Sequence, residues 1–241
     1  SIDNGLFVFG IPLVPKHRSK NWPRVLENLQ ATLQSVLNQT NENFQVLIAA
    51  EDDIDLPEVR DDRVRVLRTI GPEAEQPGYL MKNGDATNKR VLLCNHAKRL
   101  KAHHIFLVDA DDLISKNVVE FVKCNPHPHG YAITRGLVFD CASGKLLPCP
   151  SNLINVDGFD TYCGSSLIYN LKRSEGPPYD NWPIPVVQLG HNKVRKAMLE
   201  SGHPLLQIEV PLVAYVLNSG ENITMQEATD NPYLAFADYV T

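Results

Sequence analysis

The pattern of hydrophobic and polar residues predicts alternating strands and helices in the first half of the chain. Short apolar runs, typical of buried strands, alternate with segments whose apolar residues recur at helical spacing. The predicted strands lie at residues 6–11, 45–50, 64–67 and 105–108, and the predicted helices contain residues 25–37 and 91–100. Pro23 would lie in the first turn of the first helix. This order predicts an α/β fold with a central, mostly parallel sheet flanked by helices.

The pattern changes after the fourth predicted strand. Residues 131–139, 146–149 and 162–169 are predicted to form a small antiparallel part, and residues 212–217 a final strand. A helix at 192–201 would end at Gly202, because glycine commonly follows the last helical residue. Residues 222–241 show little pattern.

Residues 105–112 are the most informative segment. An apolar run ends abruptly in the three carboxylates of Asp109, Asp111 and Asp112. Ligands of open α/β sheets bind beyond the carboxyl ends of the strands, where these acids would lie. Clustered carboxylates repel one another, and a hard cation such as Mg²⁺ or Mn²⁺ relieves that repulsion, usually together with a phosphate. The segment therefore predicts a site for a metal ion and a phosphate.

Other interpretations of these residues stay open. The acids could form a polar turn that caps the next helix, although Ser115 could cap it unaided. An EF-hand is excluded because its Gly and distal Glu are missing, whereas a phosphatase of the Asp-x-Asp type is a minor alternative.

A second possible metal site is the segment with Cys124, His127 and His129, whose residue types hint at zinc. Two prolines make this segment a rigid turn, and no second ligand pair follows at the spacing of a zinc finger.

Composition narrows the function classes. The net charge of −5 gives no reason to expect a nucleic-acid partner. No apolar stretch approaches the ~20 residues that a membrane span needs. The cysteines are odd in number and form no Cys-x-x-Cys pair, which favours reduced thiols in a cytoplasmic protein. They are Cys94, Cys124, Cys141, Cys149 and Cys163.

Four segments together resemble the GT-A-fold glycosyltransferases, particularly family 2-like enzymes. They are residues 9–14, residues 29–40 with the pattern Leu-x-x-x-Leu-x-Ser-Val-Leu-x-Gln-Thr, residues 44–52, and residues 107–112 with Leu-Val-Asp-Ala-Asp-Asp. Either the helix pattern or the acidic pattern alone is weak, but their order and spacing are fairly specific. The resemblance covers roughly residues 5–220. It implies one GT-A-like domain over 1–241, with a nucleotide-binding half (1–115), an acceptor-side half (116–220) and a tail (221–241).

The resemblance also implies roles for single residues around a nucleotide-sugar donor. Asp111 would ligate Mn²⁺ or Mg²⁺, Asp109 would contact the metal or the ribose, and Ala110 would lie against the donor. A basic side chain reaches the donor in relatives at the position of Lys89 or Arg90; a solvated helix face is the alternative for Lys89. The nucleobase pocket would be formed by the backbone around Pro12 and Leu13 and by the acids Glu51 and Asp52.

The chain departs from the family pattern on the acceptor side. Family members often open a helix there with a Glu-Asp pair whose Asp is the general base, and here His191 and Asn192 stand instead. His191 is then a metal ligand, a base or simply a helix-start residue, because neutral imidazole suits both chemical roles. As a ligand it favours retention of the anomeric configuration, whereas Asp180 as base favours inversion. Trp182 and Tyr179 are candidates to stack on a sugar ring.

The predicted function is a metal-dependent glycosyltransferase. It would move one sugar from a nucleotide-diphosphate sugar, with a UDP-sugar favoured, to a glycan or small-molecule acceptor. The alternatives are a non-catalytic GT-A-like module that binds nucleotide sugars and, less favoured, a metal-dependent phosphohydrolase. The sequence does not indicate the acceptor or the oligomeric state.

Overall fold

The computed structural model describes residues 3–56, 59–69, 84–172 and 182–219. The first half contains β1 (Phe7–Pro12), a 3-10 helix (Lys16–Arg18), α1 (Trp22–Leu37), β2 (Phe44–Ala50), β3 (Val64–Arg68), α2 (Gly84–Arg99), β4 (His104–Leu107) and β5 (Leu113–Ile114). The second half contains α3 (Val118–Cys124), β6 (Gly130–Ile133), β7 (Gly136–Asp140), β8 (Lys145–Cys149), α4 (Phe159–Tyr162), β9 (Leu167–Asn170), α5 (Ile184–Val187), α6 (His191–Glu200), β10 (Leu206–Ile208) and β11 (Val213–Leu217). No helix in these described ranges is long and apolar enough to cross a membrane.

The central sheet has seven strands in the order β10-β6-β9-β4-β1-β2-β3. All neighbouring pairs are parallel except those of β9, which runs antiparallel to β4 and β6. The predicted mixed, mostly parallel sheet is therefore confirmed. From β1 the chain proceeds outward to β2 and β3 and then returns to place β4 on the other side of β1. The topological switch point, where ligands of such sheets bind, thus lies between β1 and β4.

Side chains alternate between the two faces of this sheet and build two hydrophobic clusters. On β1, Phe7 and Phe9 belong to one cluster and Val8 to the other, as the two-residue period of a strand requires. The first cluster packs against the apolar face of α1. The second packs against α2 and α6, through Leu93, Cys94, Ala97, Val194 and Met198. Helices therefore cover both faces, as in other α/β folds.

The start of α1 follows from local sequence. The side-chain oxygen of Asn21 accepts a hydrogen bond from the N–H of Arg24 at 3.3 Å, which caps the helix. Pro23 lies in the first turn, where its missing N–H leaves no partner unsatisfied. Both the predicted helix and the place of its proline are confirmed.

The prediction of one strand over residues 131–139 was wrong. The segment divides into β6, in the central sheet, and β7, in a second sheet with the order β5-β11-β7-β8. At the division Thr134 donates its N–H to the carbonyl of Ile208 and accepts the N–H of Phe159, both at 2.9 Å. Gly136 then passes so close to the ring of Phe159 that a Cβ there would lie 2.5 Å from it. These contacts carry the chain from one sheet to the other.

Two further expectations for the second half need correction. Tyr162 ends the short helix α4, so the predicted strand over 162–169 begins only at Leu167. The predicted antiparallel part is a mixed sheet, because β11 pairs in parallel with β7. Strand β10, which pairs in parallel with β6, was not predicted.

Candidate functional site

Three strands bring the predicted donor-binding residues to one edge of the sheet. β1 pairs in parallel with both β2 and β4, so the carboxyl ends of all three point the same way. Beyond β1, Leu13 donates its N–H to the carbonyl of Ala49 at 2.9 Å. Glu51 and Asp52 directly follow β2, and Asp109 follows β4 after Val108. The residues that the resemblance assigned to the nucleobase and to the metal thus flank the switch point.

Lys89 is buried beneath this edge. Its ammonium group donates hydrogen bonds to the carbonyl of Leu13 at 2.8 Å and to the carboxylate of Asp85 at 2.9 Å. A third contact, with the carboxylate of Glu51, measures 3.3 Å. Because the Lys89 side chain is only 2% exposed, the alternative of a solvated helix face is wrong. Lys89 instead ties α2 to the ends of β1 and β2.

The other nucleobase-side residues have more modest surroundings. Asp52 accepts the backbone N–H of Lys16 at 2.7 Å, which fixes the 3-10 helix after β1 against the end of β2. Pro12, the last residue of β1, is partly exposed. The predicted contacts of these residues with a donor stay predictions.

The acidic turn, residues 109–112, begins with a carboxylate that already has a cationic partner. Oδ1 of Asp109 accepts a hydrogen bond from the guanidinium of Arg90 at 2.8 Å, and both side chains are partly exposed. The backbone N–H of Asp109 donates to the hydroxyl of Ser165 at 2.8 Å. The turn closes where the N–H of Asp112 donates to the carbonyl of Asp109 at 3.3 Å. Arg90, one of two basic candidates on α2, is therefore the one that reaches the acidic turn.

Asp111 occupies an electrostatically unfavourable position. Burial raises its pKa to about 7, and the nearby carboxylate of Asp109 acts in the same direction. One oxygen accepts a hydrogen bond from the hydroxyl of Ser219 at 3.3 Å. Ala110, between the two acids, is partly buried against the first hydrophobic cluster. A carboxylate destabilised in this way gains from a cation more than a solvated one does.

Asp112 has a structural environment, although the sequence grouped it with the other two acids. Its side chain is fully buried and accepts hydrogen bonds from the hydroxyl of Ser165 at 2.5 Å and the N–H of Val216 at 3.1 Å. The thiol of Cys163 is 3.4 Å from the same carboxylate. Burial, and then the carboxylates of Asp111 and Asp109, raises the pKa of Asp112 well above its usual range. Asp112 therefore stabilises the acidic turn through buried hydrogen bonds.

The alternative in which these acids cap the next helix is not supported. Helix α3 begins only at Val118, after Asn117, and no side chain caps it. The hydroxyl of Ser115 accepts the N–H of Asn117 at 3.3 Å, within the turn that precedes the helix. Asp112 points instead toward β11 and the segment before β9.

His191 is the first residue of α6, after Gly190 with its positive φ of 80°. Its ring lines a small pocket together with Arg90 and Gly164, and the other walls are mainly apolar. Among the described residues no group forms a hydrogen bond with its buried Nδ1. Burial lowers the pKa of His191, while the carboxylate of Asp109 acts in the opposite direction. The structure thus brings His191 to the same site as Asp109.

The remaining acceptor-side candidates divide into two groups. Asp180 and Tyr179 lie outside the described residues. Trp182 does not face a sugar site: it is 4% exposed, and its Nε1 donates to the carbonyl of Asn170 at 2.7 Å. Its ring packs against Tyr169 with the ring centroids 5.9 Å apart. The suggestion that Trp182 stacks on a sugar is therefore wrong.

Asp109 and Asp111 are the carboxylates that fit the predicted divalent cation. Mg²⁺ is usually held by one or two carboxylates together with phosphates and water, and the repulsion between these two acids suits that arrangement. Within the described ranges no three His, Cys, Asp or Glu side chains are arranged to hold a metal ion. The zinc alternative at Cys124 and the histidines after it is therefore not supported. The role of His191 as a ligand stays a prediction.

Comparisons with known proteins bear on the fold. No protein-family model and no curated protein matches the chain. Among solved structures, the chain is similar to S. aureus TarS 1-349 in complex with UDP-GlcNAc, at 12% identity and a TM-score of 0.51, over 98% of this chain and 65% of the TarS chain. A protein from Desulfovibrio desulfuricans G20, assigned as a nucleotide-diphospho-sugar transferase, shares 12% identity over 98% of this chain and 95% of its own, with a lower TM-score of 0.40. Together with the strand order above, the TarS likeness confirms the predicted GT-A fold.

Proposed function

We propose that this protein is a glycosyltransferase that moves one sugar from a nucleotide-diphosphate sugar to an acceptor hydroxyl. The observation that carries the proposal is the place of the acidic turn at the switch point, beside the ends of β1 and β2. A nucleotide would span that edge, with the base toward Leu13 and Asp52 and the phosphates toward Asp109. A UDP-sugar is the favoured donor, and the acceptor is a glycan or a small molecule.

The proposed divalent cation, Mn²⁺ or Mg²⁺, would be held by Asp111 and Asp109. When bound, it would stabilise the negative charge that the leaving nucleoside diphosphate gains. In the part of the chain that the structure describes, Arg90 supplies a cation at this place: its guanidinium pairs with Asp109 and is partly exposed. Arg90 is therefore better placed than Lys89 to bind donor phosphate, because Lys89 already binds three protein groups.

A thermal-shift panel tests donor binding directly. UDP with Mn²⁺ at about 100 times its dissociation constant should stabilise the protein by about 2.7 kcal/mol. For a chain of this size that corresponds to a rise in Tm of roughly 5–10 °C. Asp111→Asn should abolish the metal-dependent part of the shift. Asp53→Asn is the matched control, because Asp53 also follows β2 at this edge but pairs with Arg68 on the surface. A protein that responds to no nucleoside diphosphate would contradict the proposal.

Turnover separates the enzyme from the alternatives. Slow hydrolysis of a UDP-sugar with release of free sugar indicates an enzyme, whereas binding without any turnover indicates a binding module. Release of inorganic phosphate from simple phosphomonoesters indicates a phosphohydrolase.

The expected stereochemistry depends on the role of His191. We propose that it is a metal ligand and that transfer retains the anomeric configuration, with Asp180 as the alternative base. His191→Ala should then weaken Mn²⁺ affinity, whereas Asp180→Ala should leave it unchanged. Normal metal binding with lost turnover in His191→Ala would make His191 a base. Proton NMR of the anomeric signal in the first product formed then shows directly whether the configuration is retained.

A further inference from the structure

The segment that precedes β9 contacts the acidic turn more closely than any sequence pattern indicated. Residues 163–166, here called the serine turn, lie between α4 and β9 in the acceptor-side half. Because β9 is the antiparallel neighbour of β4, the start of β9 lies beside the end of β4. The serine turn therefore approaches Asp109 and Asp112 across 51 to 56 positions of sequence.

Ser165 connects two residues of the acidic turn through one hydroxyl group. The hydroxyl accepts the N–H of Asp109 at 2.8 Å and donates to the carboxylate of Asp112 at 2.5 Å. Ser165 is fully buried, so water does not compete for either bond. One oxygen thus fixes both ends of the turn whose middle carries Asp111.

Gly164 lies directly beside the carboxylate of Asp109. A Cβ built on Gly164 would lie 2.3 Å from Oδ2 of Asp109, far inside van der Waals contact. Gly164 is not in the left-handed region of backbone conformation, so alanine would be compatible with the backbone itself. The absence of a side chain at this position is what allows the carboxylate to lie there while its Oδ1 pairs with Arg90.

We propose that Gly164 and Ser165 are positioning residues for donor binding, an inference that rests on the proposed function. Ser165 fixes the backbone of the acidic turn, and Gly164 leaves the space that the Asp109 carboxylate occupies. Neither residue needs to touch the donor. Through them, the acceptor-side half sets the geometry of the donor site.

Ser166 provides a matched control for Ser165. It is also fully buried and its hydroxyl also forms a short hydrogen bond, but to the carbonyl of Cys163 at 2.7 Å within the serine turn itself. Both serine-to-alanine variants should lower the Tm. Only Ser165→Ala should weaken the affinity for UDP with Mn²⁺, by about tenfold, as is typical when a residue that orients a ligand-binding group is removed. Equal losses of affinity in both variants, measured by calorimetric titration, would show a general loss of stability and overturn the role of Ser165.

Gly164→Ala tests the second half of the proposal. The clashing atom is the end of a short side chain that can rotate, so the Tm should change little while UDP affinity with Mn²⁺ falls about tenfold. A crystal structure of the ligand-free variant should show the Asp109 carboxylate displaced from Arg90. If the 2.8 Å contact persists there, or if affinity is unchanged, the role of Gly164 is refuted. A wild-type protein that does not bind UDP refutes the proposed function instead, and the crystal structure still decides whether Gly164 positions Asp109.

Discussion

Replacing Asp112 by alanine should destabilise the protein, whereas replacing its neighbour Asp111 should not. The two acids are adjacent in sequence but differ in their partners. Asp112 accepts strong hydrogen bonds from the Ser165 hydroxyl and the Val216 N–H, and it is fully buried. Asp111 has a hydrogen bond of 3.3 Å to Ser219 and is repelled by Asp109.

The magnitude follows from the groups that each variant leaves behind. Asp112→Ala removes the acceptor of two buried donors, the Ser165 O–H and the Val216 N–H. A buried donor that loses its acceptor costs about 1–3 kcal/mol. Part of this loss is offset, because the variant also removes a carboxylate that burial and two nearby acids destabilise. We expect a net loss of about 3 kcal/mol, which is a fall in Tm of roughly 6–12 °C at this chain length. Asp111→Ala removes a carboxylate that burial and the nearby Asp109 already destabilise, so its stability should stay within about 1 kcal/mol of wild type.

Urea denaturation at neutral pH with EDTA present measures both variants without interference from metal ions. Asp112→Asn extends the comparison, because its amide keeps the shape and one acceptor oxygen and should lose less stability than alanine. The reasoning is refuted if Asp112→Ala is as stable as wild type, or if Asp111→Ala loses as much. UDP binding with Mn²⁺, measured on the same samples, should show Asp111→Ala as the folded variant that fails to bind.

Three further predictions concern buried ionisable groups. Burial lowers the pKa of His104 from 6.5 to about 4, so between these pH values the unfolded state binds more protons than the folded state. About 3 kcal/mol of stability should therefore be lost as pH falls from 6.5 to 4. In urea titrations across this range, His104→Phe should remove the loss. Lys89→Met leaves the Glu51 carboxylate without its cation, and the free energy of unfolding should fall by about 3 kcal/mol in the same assay. An unchanged urea midpoint would show that solvent replaces the ammonium group. Arg195→Met leaves Asp160, 1% exposed, without its ion pair of 2.7 Å, and should cost about 3 kcal/mol at neutral pH. Because the Asp160 pKa would then rise further, that loss should shrink in acid; a loss independent of pH would contradict this account.

The amino-acid sequence predicts the features that depend on local pattern. Buried strands of a parallel sheet appear as apolar runs, and acids that follow such runs must lie at the ligand-binding edge of the sheet. For that reason the places of Glu51 and Asp109 follow from the order of residues alone. Helix α1 is predictable because one of its faces is apolar.

Contacts that depend on pairing between distant strands leave no such local signal. Nothing near Gly164 or Ser165 indicates that β9 lies beside β4, and the sequence pattern places the serine turn inside a predicted strand over residues 162–169. The sequence around His104 is typical of a helix-to-strand connection, and His104 is indeed the first residue of β4, but its burial beside Phe7, at 6.1 Å between the rings, leaves no local signal. Lys89 is ambiguous in sequence for the same reason, since its burial depends on the ends of two strands that lie far away along the chain.

The acidic turn shows why a sequence motif need not be a functional unit. The chain reverses between Asp109 and Asp112, so neighbouring side chains leave the turn in different directions. Asp109 meets Arg90 near the surface, whereas Asp112 enters the interior and joins the serine turn to β11. A fully buried carboxylate with these partners cannot reach a ligand without breaking them, whereas the ion pair of the partly exposed Asp109 gives the fold little stability. The same residue type at three nearby positions therefore serves either the site or its support, and the hydrogen-bond partners decide which.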